Sequence, residues 1–427
     1  MLDSKLLLQE PESTEKALQK RGAKYGDAVR SLASVLSSGN KSKQALEKLQ
    51  SELNLGSKQL PSLGTDEKKA KLQELKKLSD EVAQHSRKVK AADEAVQVHL
   101  QLLPNLPLED VPVGNDASGN VTLREQGAKP NFTAAKDYLA LAESLDIIDM
   151  PRGAKVSGSR FAYLKGAGAL LEFALIQYAM QALTRAGFTA VVPPVIVNEP
   201  YMEAMGYLAQ GGADEVYHLE KDKQYLVGTS EQSVGPYHAD EILPESELPK
   251  KYAAFSTCFR REAGSYGKDT KGILRVHQFD KVEMFVVCAP SASEKLHQEL
   301  LAMQEKLVQG LGIPYRVVQL CTGDLGFPSA KTYDIECWLP GQNNGKGEYR
   351  ETHSTSNTTD YQARALNIRM KGKDGKNVVA HLLNGTAFAI GRTIIAILEN
   401  YQQPDGSVKI PNVLVPFMHG MTVIQKV

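Results

Sequence analysis

Apolar residues near the N-terminus recur at a spacing that predicts long helices. In residues 27–60 and 66–102, leucine and valine lie at close to heptad intervals and leave a narrow apolar stripe. Such a stripe is typical of a coiled-coil seam and too narrow for a helix in a globular core. Pro61 and Gly64 lie between the two runs, and neither residue type continues a helix comfortably. The pattern predicts a short helix from about Pro11, followed by two long antiparallel helices.

The predicted seam also contains one irregular stretch. The apolar residues of the seam in the first helix are Val29, Leu32, Leu36, Leu46, Leu49 and Leu53. The apolar residues of the seam in the second helix are Leu72, Leu75, Leu78, Val82, Val89 and Val96. Ser38-Gly39-Asn40 interrupts the heptad spacing, and Gly39-Asn40 and Gly56 depart from a smooth helix, so the sequence leaves the straightness of the first long helix open. We assign residues 1–108 to a helical arm that projects from the rest of the chain.

Beyond residue 108 the spacing changes to a mixture of strand and helix patterns. Residues 109–130 are rich in Gly, Asp and Asn, which indicates a linker with a short strand. Residues 131–427 form the predicted body. Within it, residues 161–194 begin as a mostly apolar helix and end as a strand before two prolines. Alone, this pattern fits a core helix of a monomer as well as a helix at a subunit interface.

Composition limits the possible classes of protein. At 427 residues, with 42% hydrophobic and 23% charged residues, the chain is long enough for two or three soluble domains. Its formal net charge is zero, so any contact with nucleic acid depends on local patches. One such patch lies in the arm and comprises Lys68, Lys69, Lys71, Lys76, Lys77, Arg87, Lys88 and Lys90. By itself, a basic run of this kind is more typical of a solvated coiled-coil surface.

Cysteine spacing and the N-terminal segment indicate the cellular compartment. The cysteines are Cys258, Cys288, Cys321 and Cys337, and none forms a Cys-x-x-Cys pair, so we expect no zinc site and no disulfide framework. The first 16 residues lack a long apolar core, and no run is long enough to span a membrane. We expect a cytoplasmic protein without membrane contact.

The candidate chemistry is concentrated in a charged hairpin. Two strand-like runs, 253–259 and 273–287, flank a loop rich in Gly, Lys and Asp. The surface of this hairpin carries Arg260, Glu262, Arg275, Phe279 and Glu283. A core strand rarely carries so many charges, because burying an unpaired charge is expensive. The pattern favours a ligand-binding sheet face, with arginine for phosphate or carboxylate, an aromatic ring for a planar group and glutamate for an ammonium.

The amino-acid sequence of this hairpin resembles a motif of a known protein family. The hairpin contains Phe259-Arg260, then Glu-Ala-Gly-Ser-Tyr-Gly from Glu262, and then Arg-Val-His-Gln-Phe-Asp-Lys-Val-Glu from Arg275. These segments resemble motif 2 of the class II aminoacyl-tRNA synthetases, in the form found in seryl-tRNA synthetases. Residues 161–194 resemble motif 1, and residues 384–393 resemble motif 3. The resemblance covers nearly the whole chain. It implies an α+β fold, with an antiparallel β-sheet catalytic body and an N-terminal antiparallel α-helical coiled-coil arm.

The resemblance implies a two-step reaction. L-serine would be activated with ATP to seryl-adenylate and then transferred to the 3′ end of tRNA(Ser), and by extension of tRNA(Sec). It implies ATP and Mg²⁺ at the site, an arm that grips the tRNA, and a homodimer built on motif 1. Two alternatives remain open. One is an amino acid:carrier-protein ligase, whose homologues lack such an arm. The other is an inactive RNA-binding paralogue, which the intact charged residues of the motifs disfavour.

The resemblance also assigns residues. Those expected to bind L-serine are Thr229, Ser230, Glu231, Arg260, Glu283, Asn384 and Thr386. Those expected to bind ATP are Arg260, Arg261, Glu262, Arg275, Val276, Phe279, Glu351, Thr352, His353, Ser354 and Arg392. Those expected to be catalytic are Arg260, Glu283 and Arg392, and those expected to hold Mg²⁺ through the ATP phosphates are Glu351 and Ser354.

Several expectations concern individual positions. Arg260 would bridge the serine carboxylate and the α-phosphate, and Arg392 would cover the adenine face opposite Phe279. His353 stands where the family more often has serine. Residues 265–271 would guide the acceptor end of the tRNA. Alone, Thr229-Ser230-Glu231 is more typical of a helix N-cap with a capping carboxylate, and residues 384–393 are more typical of a strand, a turn and a helix.

Overall fold

The chain contains two compact units. The structure is a computed structural model that describes residues 1–209, 211–263 and 271–426. Within the described residues, one unit spans Leu2–Leu106 and the other begins at Pro107. The first unit consists of four helices among the described residues: α1 (Ser4–Gln9), α2 (Pro11–Gln19), α3 (Lys24–Gln59) and α4 (Thr65–Gln101).

The two long helices run antiparallel, as the apolar spacing predicts. A short turn with a 3₁₀ segment at Leu60–Ser62 joins α3 to α4. The Lys43 ammonium lies 2.8 Å from the Asp93 carboxylate. Gly39 faces Ala92, and Gly56 faces Leu75. Gly39, earlier in α3, meets a residue late in α4, and Gly56, later in α3, meets a residue early in α4. The two helices are therefore antiparallel.

The interruption of the heptad spacing at Ser38-Gly39-Asn40 does not break the helix. Helix α3 is continuous through these residues. Gly39 is buried against α4, and a Cβ added at Gly56 would lie 2.7 Å from Leu75 Cδ2. The glycines therefore allow the two helices to approach closely, and this packing offsets their low helix propensity. One expected seam residue, Leu72, is half exposed and contributes little to the contact.

The second unit is an α+β body, as expected. Its helices are α5 (Tyr138–Leu145), α6 (Met150–Ser157), α7 (Ala167–Arg185), α8 (Glu199–Ala204), α9 (Gly212–Glu215), α10 (Glu231–Val234), α11 (Ser293–Gly310), α12 (Gln342–Gly345), α13 (Tyr361–Ala365) and α14 (Ile390–Asn400). Its strands are β1 (Val121–Gln126), β2 (Ile148–Asp149), β3 (Tyr163–Leu164), β4 (Thr189–Val191), β5 (Ile196–Asn198), β6 (Tyr217–Leu219), β7 (Gln224–Leu226), β8 (Ile242–Pro244), β9 (Lys250–Phe259), β10 (Gln278–Cys288), β11 (Tyr315–Gln319), β12 (Lys331–Leu339), β13 (Glu348–Asn357), β14 (Arg369–Lys371), β15 (Asn377–Val379), β16 (His381–Ala389), β17 (Val408–Lys409) and β18 (Val423–Ile424).

A large, mostly antiparallel sheet forms the centre of this body. Its strand order is β1-β11-β12-β13-β16-β10-β9-β4, and β4 pairs in parallel with β9 at one edge. Strand β1, which lies within residues 109–130, pairs with β11 at the other edge. The charged hairpin consists of β9 and β10. Its second strand begins at Gln278, later than the expected start at residue 273, because residues 271–275 form bends.

The two faces of the sheet have different environments because side chains alternate along each strand. On one face, Val282, Met284 and Val286 of β10 join the main hydrophobic core, to which α5, α7, α11 and α14 contribute. On the other face, Phe279, Lys281 and Glu283 of the same strand line a cavity. The fold thus directs the charged residues of the hairpin away from the apolar core.

A buried glutamine maintains the separation of two strands beneath this cavity. The ladder between β13 and β16 joins Thr355 to Gly385, Ser356 to Asn384 and Asn357 to Leu383. Beyond these pairs, Gln304 of α11 donates its Nε2 to the carbonyl oxygens of Ser354, at 2.9 Å, and Thr386, at 2.8 Å. The side chain replaces the missing ladder bonds, since buried carbonyl groups require a donor.

No helix among the described residues is long and apolar enough to cross a membrane. The four cysteines, all within the described ranges, are free and buried. Burial raises the pKa of the Cys288 and Cys337 thiols to about 12, so both behave as small core side chains.

Candidate active site

A cavity of about 680 Å³ lies on the charged face of the central sheet. Its volume is within the usual range for small-molecule sites. Most residues expected from the sequence line it: Thr229, Glu231, Arg260, Glu262, Arg275, Val276, Phe279, Glu283, Glu351, Thr352, Ser354, Asn384, Thr386 and Arg392. These positions lie far apart in the sequence, and the fold brings them to one cavity.

Three expected residues do not line the cavity. Ser230 is fully buried beside it. The backbone N–H of Arg261 donates to the Glu215 carbonyl, and its guanidinium lies 5.7 Å from the centre of the Tyr217 ring. His353 pairs across the ladder with Ile335, a residue of the hydrophobic core. The structure therefore does not support a direct ligand contact by these side chains.

His353 has an environment that explains its placement. Its ring lies 5.7 Å from the Phe388 ring, and its Nδ1 lies 2.7 Å from the Thr352 hydroxyl oxygen. Burial lowers the pKa of His353 to about 4, so the imidazole is neutral at physiological pH. A bulge near Ile335 and Glu336 shifts the register of β13, and strand alternation then directs Ser354 to the cavity and His353 to the core.

Two buried carboxylates form a pocket within the cavity. Glu231 is 4% exposed and Glu283 is 2% exposed. The Tyr207 hydroxyl donates to Glu231 Oε2 at 2.7 Å, and Gln362 Nε2 donates to Glu231 Oε1 at 3.1 Å. Burial and the neighbouring Glu283 raise the pKa of Glu231. The Thr386 hydroxyl donates to Glu283 Oε2 at 3.3 Å.

The segment around Thr229 is a helix start in which the carboxylate does not serve as the cap. Glu231 is the first residue of α10, and its carboxylate faces the cavity. A different side chain makes the hydrogen bond to the preceding backbone that is expected of a capping residue: Gln232 Oε1 accepts from the Gly228 N–H at 2.7 Å. The Thr229 hydroxyl accepts from the Glu231 N–H at 3.3 Å. The helix start therefore leaves Glu231 available to a ligand.

Three arginines, Arg260, Arg275 and Arg392, also line the cavity. Arg260 donates its Nε to the Gly228 carbonyl at 3.1 Å, and its guanidinium lies 5.3 Å from the centre of the Phe279 ring. Arg275 pairs with Glu262 at 2.6 Å. These contacts hold two guanidinium groups at the cavity wall before any ligand arrives, which lowers the cost of ordering them on binding.

Arg392 and Glu351, which both line the cavity, contact each other. Arg392 Nη1 lies 3.3 Å from Glu351 Oε1 and donates to the Glu351 carbonyl at 3.0 Å. Burial would raise the pKa of Glu351, but the nearby guanidinium groups of Arg392 and Arg260 outweigh burial and lower it. Glu351 is therefore a carboxylate anion, and half of its side chain is exposed to solvent.

Sequence reasoning missed several residues of the site. Tyr207 and Gln362 hold Glu231, but each comes from a distant segment with no recognisable spacing to it. Thr332 and Ser356 also line the cavity. Lys281 could have been identified from the sequence, because strand alternation places it on the same face as Phe279 and Glu283. Residues 265–270 of the predicted tRNA-guiding loop lie outside the described residues.

Comparisons with known proteins agree over the whole chain. Residues 1–107 match the model of the seryl-tRNA synthetase N-terminal domain. Residues 216–401 match the class II tRNA synthetase core domain model for G, H, P, S and T. The serine–tRNA ligase of Cutibacterium acnes is 45% identical over 100% of both chains. That of Mycolicibacterium smegmatis is 44% identical over 98% of both.

Solved structures show the same relationship. The seryl-tRNA synthetase from Pyrococcus horikoshii complexed with ATP has a TM-score of 0.94 and 37% identity, with 100% of both chains covered. The cytoplasmic serine–tRNA ligase from Naegleria fowleri in complex with AMP has a TM-score of 0.88 and 31% identity, with 100% of this chain and 99% of that chain covered. With full-length similarity in sequence and in structure, this chain belongs to the seryl-tRNA synthetase family.

Proposed function

We propose that the chain activates L-serine with ATP to form seryl-adenylate and pyrophosphate, and then transfers the seryl group to the 3′ end of tRNA(Ser). The proposal extends to tRNA(Sec), since one adenylate site serves any tRNA that delivers its 3′ end to the cavity. The observation that carries the proposal is the polarity of the cavity. Its lining combines two buried carboxylates, Glu231 and Glu283, with three arginines, and such a lining suits an amino acid joined to a phosphate.

The carboxylate pocket supports serine as the amino acid. Glu231 and Glu283 offer acceptors for an ammonium and a hydroxyl, and Thr229 and Thr386 lie beside them. Asn384 lines the cavity next to Thr386 on β16. Alanine would leave the acceptor that meets the serine hydroxyl one donor short, which is costly in a buried pocket. The pocket thus favours serine over an amino acid that lacks the hydroxyl.

Arg260, which lines the cavity, would bridge the serine carboxylate and the α-phosphate. In the first step, a carboxylate oxygen of serine bonds to the α-phosphorus as the bond to the pyrophosphate oxygen breaks, and pyrophosphate leaves. The carboxylate is already ionised, so the step requires no general base. It requires positive charge beside the phosphates, which Arg260 and Arg275 supply. Positioning two reactants in one cavity supplies the remaining acceleration.

The adenosine of ATP would lie beside the arginines that line the cavity. Phe279 offers a ring face for adenine, and Arg392 would cover the opposite side of the base. Glu262 would orient the base while it keeps Arg275 in place through their 2.6 Å contact. Val276 and Thr352 contribute wall surface. Each of these assignments is part of the proposal.

Magnesium fits the same region of the cavity. Glu351 is an ionised, half-exposed carboxylate, and Ser354 lines the cavity on the same strand. No group of three His, Cys, Asp or Glu side chains that could hold a metal is present among the described residues. That is compatible with Mg²⁺, which is usually held by one or two carboxylates together with substrate phosphates. When bound, Mg²⁺ would neutralise phosphate charge, and Glu351 and Ser354 would hold it.

In the second step, a ribose hydroxyl at the tRNA 3′ end attacks the carbonyl carbon of seryl-adenylate, and AMP leaves. The arm is proposed to hold the tRNA for this step. Lys76, Lys77 and Arg87 are exposed on α4, where they can reach phosphates without reading bases. A carrier-protein ligase is not favoured, because the N-terminal domain matches the seryl-tRNA synthetase model.

We also propose a homodimer in the cytoplasm. Phe173 of α7 is 60% exposed and Val192 is 79% exposed, although α7 buries its other face in the core. Helix α7 packs against the edge strand β4. An exposed aromatic beside an open sheet edge suits an interface with a second copy.

Replacement of Arg260 tests the adenylation site. We expect Arg260→Ala to lower the rate of serine-dependent ATP–pyrophosphate exchange by about 100-fold or more, because it removes the charge nearest to the reacting groups. The matched control is Arg316→Ala. Arg316 pairs with Glu336 at 2.6 Å on the same sheet, outside the cavity lining. Equal losses in the two variants would contradict the assigned site, as would wild-type exchange driven by alanine in place of serine.

Charge removal from the arm tests its role. We expect the triple variant Lys76→Gln, Lys77→Gln and Arg87→Gln to raise the KM for tRNA(Ser) by about tenfold and to weaken its salt dependence, because phosphate contacts are lost. Exchange without tRNA should stay at the wild-type rate.

The control triple removes the same charge from the body, with Lys295, Lys373 and Lys376 each changed to Gln. These side chains are 84%, 91% and 82% exposed. If both triples changed the KM equally, net charge and not the arm would govern tRNA binding.

Light scattering of the purified chain tests the homodimer. We expect a mass of twice 46.7 kDa for the wild type and of one chain for Phe173→Asp, since a charge cannot be buried unpaired at an apolar interface. Val378→Asp, at another exposed apolar position, should remain dimeric. A monomeric wild type, or a dimeric Phe173→Asp variant, would overturn this part of the proposal.

A further inference from the structure

A buried lysine lies inside the carboxylate pocket. Lys281 is 7% exposed, and its Nζ lies 2.5 Å from Glu283 Oε2. It lines the cavity with Phe279 and Glu283, because the alternation of β10 directs all three to one face. Lysine is among the residues least often buried, and it stays charged in such a place when an anion pairs with it.

The charges of the pocket can be counted. Glu231 and Glu283 contribute two carboxylates, and Lys281 contributes one ammonium. Lys281 also lowers the pKa of Glu231, against the effects of burial and of Glu283. The pocket therefore has one carboxylate, Glu231, without a cationic partner from the protein among the described residues. Buried charge of one sign is expensive, so the pocket is completed by one cationic group and not by two.

The position of Lys281 decides which carboxylate is satisfied in advance. Glu283 Oε2 already receives the Lys281 ammonium and the Thr386 hydroxyl. Glu231 receives neutral donors, from Tyr207 and Gln362. A ligand ammonium is therefore best placed towards Glu231. The group that reaches Glu283 next to Lys281 must be uncharged, because a second cation would be repelled there.

We propose that Lys281 is a specificity-determining residue, which makes the pocket accept an amino acid with an uncharged hydroxyl side chain and reject one of the same size with a cationic side chain. The relevant competitor is L-2,3-diaminopropionate, in which an amine replaces the hydroxyl of serine. A pocket without Lys281 would hold two negative charges and would suit two ammonium groups. This inference rests on the proposed serine pocket and adds the source of its charge selectivity.

The experiment compares kcat/KM for serine and for L-2,3-diaminopropionate in ATP–pyrophosphate exchange by the full-length protein. In Lys281→Met, we expect the ratio of serine to diaminopropionate to fall by about tenfold or more, because one charge is removed at contact distance. In Lys281→Arg, which keeps the charge, the ratio should stay close to that of the wild type. The ratio is insensitive to a general loss of folded enzyme, which lowers both values together.

A second buried lysine provides the matched control. Lys331 is 2% exposed and pairs with Asp110 and Glu294, outside the cavity lining. We expect Lys331→Met to lower thermal stability and to leave the ratio unchanged. If Lys281→Met gives too little folded protein, Lys281→Gln replaces it in the same assay, since it also removes the charge.

The outcomes separate this inference from the proposed function. An unchanged ratio in the Lys281→Met and Lys281→Gln variants, with serine-dependent exchange present in the wild type, would overturn the role of Lys281 alone. Equal falls of the ratio in the Lys281→Met and Lys331→Met variants would also overturn it. Absence of serine-dependent exchange in the wild type would overturn the proposed function, and with it the premise of the lysine's role.

Discussion

The free-energy cost of burying charge in a protein interior governs the organisation of the catalytic body. Strands β10, β12 and β16 each direct some side chains to the cavity and others to the hydrophobic core, and the charged side chains of the site line the cavity. The charges are then paired: Arg275 with Glu262, Lys281 with Glu283 and Arg392 with Glu351. Such pairs add little net stability. Their value lies in holding charged groups in position for a ligand.

The core beneath the cavity also shapes the site. Gln304 bonds the carbonyl groups of Ser354 and Thr386 where β13 and β16 are no longer joined by the ladder. His297 of the same helix donates to the Thr355 carbonyl at 3.1 Å, and burial lowers the pKa of its imidazole to about 4. Neutral polar side chains from α11 thus fix the spacing of two strands that carry proposed ligand contacts, without bringing charge into the core.

The sequence predicted the elements well where periodicity or a long motif determined them. The arm helices followed from leucine spacing, and the charged hairpin followed from strand alternation. Local pattern was a poor guide where tertiary contacts outweigh local preference. Gly39 is tolerated within α3 because it packs against α4. His353 faces the core because of the register shift in β13, and no single-strand pattern reveals that. Tyr207 and Gln362 reach Glu231 from distant segments, so spacing carries no signal for them.

The orientation of the adenylate across the cavity is the central claim of this account. The most direct measurement is a crystal structure of the protein with a non-hydrolysable sulfamoyl analogue of seryl-adenylate. We predict that the seryl group lies against Glu231 and Glu283, that Arg260 contacts the linking group, and that adenine lies on Phe279. An analogue bound in the reverse direction, or outside the cavity, would contradict the account.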